Sequence, residues 1–161
     1  MRFKNKIVLI TGASRGIGKG TALRFAREGA NLALIAKNKE KVNNVANEVR
    51  KLGRRALPIV ADVTVKKQVE DMFDRTVQEF GKLDVSVHNA GVITIARINE
   101  LTEEEWDKVL AVNTKGAFLC CQAAAKHMMK QGYGKIINTA SGQARQGLSI
   151  HLIMLPVNSE W

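Results

Sequence analysis

The stretch "KIVLITGASRGIG", residues 6–18, decides how this chain is read. Its first half, after Lys6, is short, apolar and rich in β-branched residues. Such a run suits a strand buried on both faces. Its second half places Gly12, Gly16 and Gly18 where that strand must turn into a helix. Glycines let a backbone turn sharply and lie close to a bound group. A helix N-terminus adds unpaired N–H groups and the positive end of a dipole. The combination is a phosphate cradle by its chemistry. Its spacing is G-x-x-x-G-x-G rather than G-x-G-x-x-G, and a glycine triplet alone also serves any tight strand-to-helix turn.

Outward from that turn, apolar runs alternate with amphipathic stretches of helix length. "IGKGTALRFAREGA" puts Ile17, Ala22, Leu23, Phe25 and Ala26 at helical spacing and ends near Gly29. "NLALIAK" is a second strand, followed by a charged helix from about Lys39 to Leu52. "ALPIVAD" is a third strand. "TVKKQVEDMFDRTVQEFG" opens with Thr64 as a cap and stripes Val69, Met72, Phe73, Val77 and Phe80 along one face. "LDVSVHNAG" is a fourth strand, a long helix runs from about Glu103 to Gln131, and "GKIINTAS" is a fifth strand. Apolar strands separated by helices give an α/β fold with a doubly wound parallel sheet, covered on both faces.

The bulk numbers fit. The 161 residues are 45% hydrophobic and 25% charged, which suits one globular domain with a real core. No apolar run is long enough to span a bilayer and the N-terminus lacks a leader's cleavage site, so a cytoplasmic protein with no membrane role is expected. Cys120 and Cys121 are adjacent, without metal-ligand spacing, and read as small apolar residues on a packed helix. The net charge is +10, but the cations are scattered and no aromatics are interleaved for base stacking. A nucleic-acid partner is therefore not expected, and a polyanionic cofactor is the better use for some of the charge.

Five motifs occur in order: "TGASRGIG", "ADV" at Asp62, "NAG" at Asn89 to Gly91, "VNTKG" with Asn113, and "KIINTAS" ending at Ser141. Together they resemble the short-chain dehydrogenases/reductases, over residues 5 to about 147. The resemblance implies a Rossmann-like domain over 1–147 with about five of the family's seven strands, and an atypical tail over 148–161. It implies that Gly12, Ser14, Arg15, Gly16, Ile17 and Gly18 line the cofactor phosphates. Asp62 and Val63 would meet the adenine, with the carboxylate accepting from its exocyclic amine. Asn89, Ala90 and Gly91 would flank the adenosine ribose and steady the sheet. Asn113 would help hold a water in a proton relay, and Ser141 would hydrogen-bond the substrate oxygen. His88 stands where the family more often has asparagine and reads as a satisfied core histidine. The implied activity is hydride transfer between a nicotinamide and a small-molecule carbonyl or secondary alcohol, in the manner of 3-oxoacyl-carrier-protein reductases or polyol and sugar dehydrogenases. The alternative is a non-catalytic nucleotide-binding module or regulatory subunit. Full-length family members imply a homo-oligomer.

The choice of nicotinamide follows from the second strand. A carboxylate at its end would bind the ribose 2′-hydroxyl and select NAD. Here Ala36 holds that position and Lys37 follows. With Arg15 in the glycine turn, two cations and no anion favour NADP(H), with NAD(H) possible.

The family's proton comes from a Tyr-x-x-x-Lys pair about a dozen residues after the serine, the lysine lowering the phenol's pKa. Tyr133, the single tyrosine, precedes Ser141, and no Tyr or Lys follows that serine. The chain as written is expected to be inactive. Read one base out of register from about Gln146 or Gly147, with permitted codons, "LSIHLIMLPVNSEW" is compatible with F-I-Y-T-P-H-Y-A-A-S-K-F-G-V. Its second tyrosine straddles Ile153 and Met154, and its lysine straddles Val157 and Asn158. A frameshifted or truncated reductase is therefore expected, with an exposed fifth strand and a tendency to associate. A genuine apolar strand over Leu148 to Leu155 is the competing reading.

Overall fold

The computed structural model describes residues 1–141 and 152–153. Five strands form one parallel sheet: β1 (Ile7–Thr11), β2 (Asn31–Ala36), β3 (Ala56–Val60), β4 (Val85–His88) and β6 (Lys135–Asn138). Their order across the sheet is β3-β2-β1-β4-β6. The chain winds outward from β1 in one direction through β2 and β3, then returns to the other side of β1 through β4. The sheet therefore has a switch point between β1 and β4, where the crevice for a ligand opens at the carboxyl ends of the strands. A separate two-stranded antiparallel pair joins β5 (Ile95–Ala96) to β7 (Leu152–Ile153). Those two residues are all of the tail that is described. The out-of-register reading otherwise lies outside the described residues.

Alternation in the central strands builds two cores. Val8 and Ile10 of β1 and Leu32 and Leu34 of β2 face one side, with Ala22, Ala26, Val42, Val45 and Val49 of two helices. These helices are α1 (Gly16–Arg27) and α2 (Lys39–Lys51). Leu9, Ala33 and Ile35 face the other side, against Val69, Met72 and Phe73 of α3 (Lys66–Phe80) and Leu119 and Ala124 of α5 (Gly116–Gln131). Every residue of β1 is buried, so its run is apolar rather than alternating.

Local chemistry sets the element ends. The Asn38 side chain accepts from the Lys41 N–H at 2.8 Å and caps α2. A capping box of Thr102 and Glu105 starts α4 (Glu103–Leu110). Thr64 is not the cap of α3: Val65 occupies that position without a side-chain cap. The Thr64 hydroxyl instead donates to Asp62 Oδ1 at 2.8 Å, a bond two residues back that competes with capping. The long helix over 103–131 is broken by a π turn, Ala111–Lys115, with buried Asn113 inside it.

The two outer strands differ. β3 carries Pro58, paired in register with Leu34. Ala61 N donates to Ala36 O and Arg55 O accepts from Leu32 N, so odd-numbered residues of this segment bond inward and Pro58 points its nitrogen outward. β6 is the opposite edge among the described residues. All four of its residues are exposed, Ile136 at 37% and Ile137 at 45%. The exposed fifth strand expected from sequence is thus present in the described part. No helix among the described residues is long and apolar enough to cross a membrane.

Candidate functional site

The glycine turn closes against β4. Gly12 has φ +66, and a Cβ there would come within 2.9 Å of Ala90 Cα. A Cβ on Gly18 would run into the Gly12 carbonyl, so α1 can pack this tightly on the turn only as glycine. Thr11, 1% exposed, accepts at its hydroxyl from the backbone N–H of Asn89 and of Ala90, both at 3.0 Å. Asn89 Nδ2 donates in return to Thr11 O at 3.1 Å. The "NAG" segment is thereby tied to the end of β1. Its partner there, Thr11, is a residue the sequence reading passed over.

A cavity of about 750 Å³ lies over this turn, within the range of ligand pockets. It is lined by Gly12, Ser14, Arg15, Gly16 and Ile17, by Ala36 and Lys37 at the end of β2, and by Asp62, Val63 and Asn89 to Gly91. Gly18 is not on its wall and serves packing. The N-terminus of α1 has no side-chain cap and no acidic residue in its first turn, which leaves it open to an anion.

Lys37 and Asp62 do not stand apart. Lys37 Nζ lies 2.7 Å from Asp62 Oδ2, with the lysine side chain 77% exposed and the aspartate 22%. Partial burial pushes the Asp62 carboxyl up, but hydrogen bonds from Lys37 and Thr64 outweigh it and hold the group below the usual range. Exposed pairs of this kind are worth about 0–1 kcal/mol, so either partner can be drawn to a ligand at small cost.

A second cavity of about 460 Å³ adjoins the first and is lined by His88, Asn113, Asn138, Thr139 and Ser141. The structure thus brings Asn113 and Ser141 to one wall. The Asn113 amide is held by the backbone of Val92: Oδ1 accepts from its N–H at 2.9 Å, and Nδ2 donates to its carbonyl at 2.8 Å. This ties the loop after the "NAG" segment to the π turn, leaving one amide hydrogen and one lone pair for other partners.

His88 joins β4 to β6. Its Nδ1 donates to Asn138 Oδ1 at 2.8 Å, since an amide oxygen only accepts, and its Nε2 then accepts from the Ser86 hydroxyl at 2.8 Å. Burial pushes its pKa down to about 4 against the opposing Asn138 bond. His88 is the satisfied core histidine expected, and it also reaches the cavity wall. Cys121 Sγ sits 3.5 Å from His88 Nδ1, while burial pushes the neighbouring Cys120 thiol up to about 12. Tyr133 lies elsewhere. Its ring is 5.8 Å from Lys6 Nζ, at the amino ends of the strands and away from both cavities.

A glycine turn at the switch point of a 3-2-1-4 parallel sheet defines a Rossmann-like nucleotide-fold domain. The family model described as short chain dehydrogenase matches residues 6–152, and the chain belongs to that family. It is 41% identical over 141 residues to the (2S)-[(R)-hydroxy(phenyl)methyl]succinyl-CoA dehydrogenase subunit BbsD of Thauera aromatica, covering 88% of this chain and 57% of that one. It is 40% identical over 141 residues to the 3-oxoacyl-[acyl-carrier-protein] reductase FabG of Thermotoga maritima, with the same two shares. Among solved structures, NAD+-bound xylitol dehydrogenase superposes with a TM-score of 0.89 at 37% identity, over 92% of this chain and 57% of that one. A short-chain type dehydrogenase/reductase from Mycobacterium marinum gives 0.90 at 39%, over 94% and 62%. The chain therefore spans somewhat over half the length of the relatives it matches.

Proposed function

We propose that this chain is the cofactor-binding part of an NADP(H)-dependent oxidoreductase acting on a small carbonyl or secondary alcohol. The observation that carries this reading is the pair of adjoining cavities, one glycine-lined and cation-flanked, the other bearing Ser141 and Asn113. A bound nicotinamide supplies or accepts a hydride, and the chain's residues do the rest. The turn over Gly12 to Gly18 and the open N-terminus of α1 receive the diphosphate. Val63 and the Asp62 carboxylate take the adenine. Ser141 donates a hydrogen bond to the substrate oxygen, and Asn113 holds the loop that forms the wall beside it.

The 2′-phosphate falls to Arg15 and Lys37, both on the cavity wall and with no carboxylate at the end of β2 to repel it. Lys37 must leave Asp62 to do this, and the exposure of that pair makes the exchange inexpensive. The same pair also favours a second reading, NAD(H), in which Lys37 stays on Asp62. The NAD+ in xylitol dehydrogenase fits that reading.

The chain as given has no tyrosine or lysine after Ser141 to supply the proton. A missing general acid costs roughly 10²–10⁴-fold in rate, so turnover should be near zero. Substrates would be of the 3-oxoacyl thioester or polyol kind. The full-length form would be a homo-oligomer without nucleic-acid or membrane partners. A non-catalytic nucleotide-binding module is the competing role. Titration with NADPH, followed by its fluorescence, tests the binding. A carbonyl panel, run with this chain and with one restored to Y-A-A-S-K, tests the chemistry. Binding with turnover only in the restored chain supports the oxidoreductase. Binding without turnover in either supports the module, and absence of binding removes both.

A further inference from the structure

Two cations line both cavities: Arg15, in the glycine turn, and Lys108, on α4. They come from elements far apart in sequence and meet only where the two cavities join. Asn89 to Gly91, the segment that follows β4 and is bonded to Thr11 at the end of β1, lines the same junction. Lys108 has no ion pair or hydrogen bond among the described residues. Glu104 stands one helical turn before it, in the favourable order for an intrahelical pair, yet the two do not pair. On the same wall, Ala111 and Val112 follow Lys108 by about one turn. Lys108 is exposed to solvent and at the same time stands on the helix face that lines the cavity.

An unpaired cation at the junction of an adenosine-sized and a nicotinamide-sized space faces the part of a dinucleotide that lies between them, the diphosphate bridge. We propose that Lys108 is a ligand of the cofactor diphosphate, gripping it from the α4 wall while the glycine turn cradles it from below. This rests on the dinucleotide reading above and adds a residue to it. The grip does not depend on the 2′-phosphate, so it serves NADPH and NADH alike. That sets it apart from Lys37, whose part is to tell them apart.

The test titrates NADPH and NADH, by nicotinamide fluorescence, against the wild-type chain, Lys108→Gln, Lys108→Glu and Lys115→Gln. Lys115 is an exposed lysine of the π turn that lines neither cavity. A charge-assisted phosphate contact is worth about 1.5 kcal/mol, so Lys108→Gln should weaken both nucleotides by the same factor, roughly 10-fold. Lys108→Glu should weaken them further, and Lys115→Gln should stay within about twofold, since Lys115 lines neither cavity and its exposed charge is screened. Melting temperatures matched to wild type would show that the variants are folded. Unchanged affinity in Lys108→Gln, with the wild type binding both nucleotides, overturns this proposal and leaves the dinucleotide reading standing. So does a loss confined to NADPH, which would put Lys108 on the 2′-phosphate. A wild-type chain that takes up neither nucleotide overturns both.

Discussion

The two halves of the site are built on different ground. The glycine-turn half stands on β1 and β2, central strands with helices on both faces and almost no exposed atom. Its geometry is fixed by packing: Gly18 against the Gly12 carbonyl, Gly12 against Ala90, and the Thr11 hydroxyl between two N–H groups. The Ser141 half stands on β4 and β6, and β6 is an exposed edge. There the geometry is held by polar side chains instead, with His88 bridging Ser86 and Asn138 across the two strands. The glycine turn thus sits where the described part of the fold is most fully packed. A substrate wall at the rim is held by a few hydrogen bonds and is correspondingly easier to loosen.

Gly18→Val should break the first half outright. Its side chain would have to displace the Gly12 carbonyl, and overpacking of this kind costs roughly 1–3 kcal/mol or more. Denaturant melts should show that loss, together with loss of NADPH binding. A variant that keeps both would refute the tight closure of α1 on the turn.

Acid should find the second half. Burial depresses the folded pKa of His88 to about 4, from an ordinary value near 6.5. The unfolded chain therefore takes up the proton first as pH falls. The contribution of neutral His88 is fully present above pH 6.5 and is lost between 6.5 and about 4, by up to roughly 3 kcal/mol at the bottom of that window. His88→Asn should flatten the stability profile across that window. Equal pH slopes for wild type and variant would mean that His88 is hydrated in solution and the bridge to β6 is weak.

The smallest effect falls within the first half. Lys37→Gln removes an exposed pair with Asp62 worth about 0–1 kcal/mol, so the melt should scarcely move. NADPH affinity should fall about 10-fold with NADH unchanged, because one charge-assisted bond to the 2′-phosphate is lost. Equal affinities before and after would favour the NAD(H) reading.

What could be read from the sequence divides along the same line. The strands, the helices and the glycine turn are visible because burial on both faces leaves continuous apolar runs and a turn leaves glycines. The Lys37–Asp62 pair is invisible in one dimension. It joins the ends of neighbouring strands, 25 positions apart, and depends on the register of β2 against β3. Thr64 looks like a cap because Thr before an apolar stripe usually is one, yet its hydroxyl finds Asp62 closer. The π turn at Asn113 leaves no mark on the helical pattern of 103–131. Lys108 looks like any lysine on an amphipathic helix, and only the approach of α4 to the glycine turn gives it a neighbourhood. Thr11 opens the TGASRGIG motif, but a threonine ending an apolar strand gives no hint that its hydroxyl serves two donors.

Pro58 gives the sheet a direction. On the β3 rim one outward position offers no hydrogen to an incoming strand, so a docking backbone there meets a gap in the ladder. Among the described residues the β6 rim, Lys135–Asn138, has no such gap. Any strand this protein borrows, from its own chain or from another copy, should be recruited on that side, and the barrier against runaway stacking of sheets is built into the opposite margin by a single imino acid.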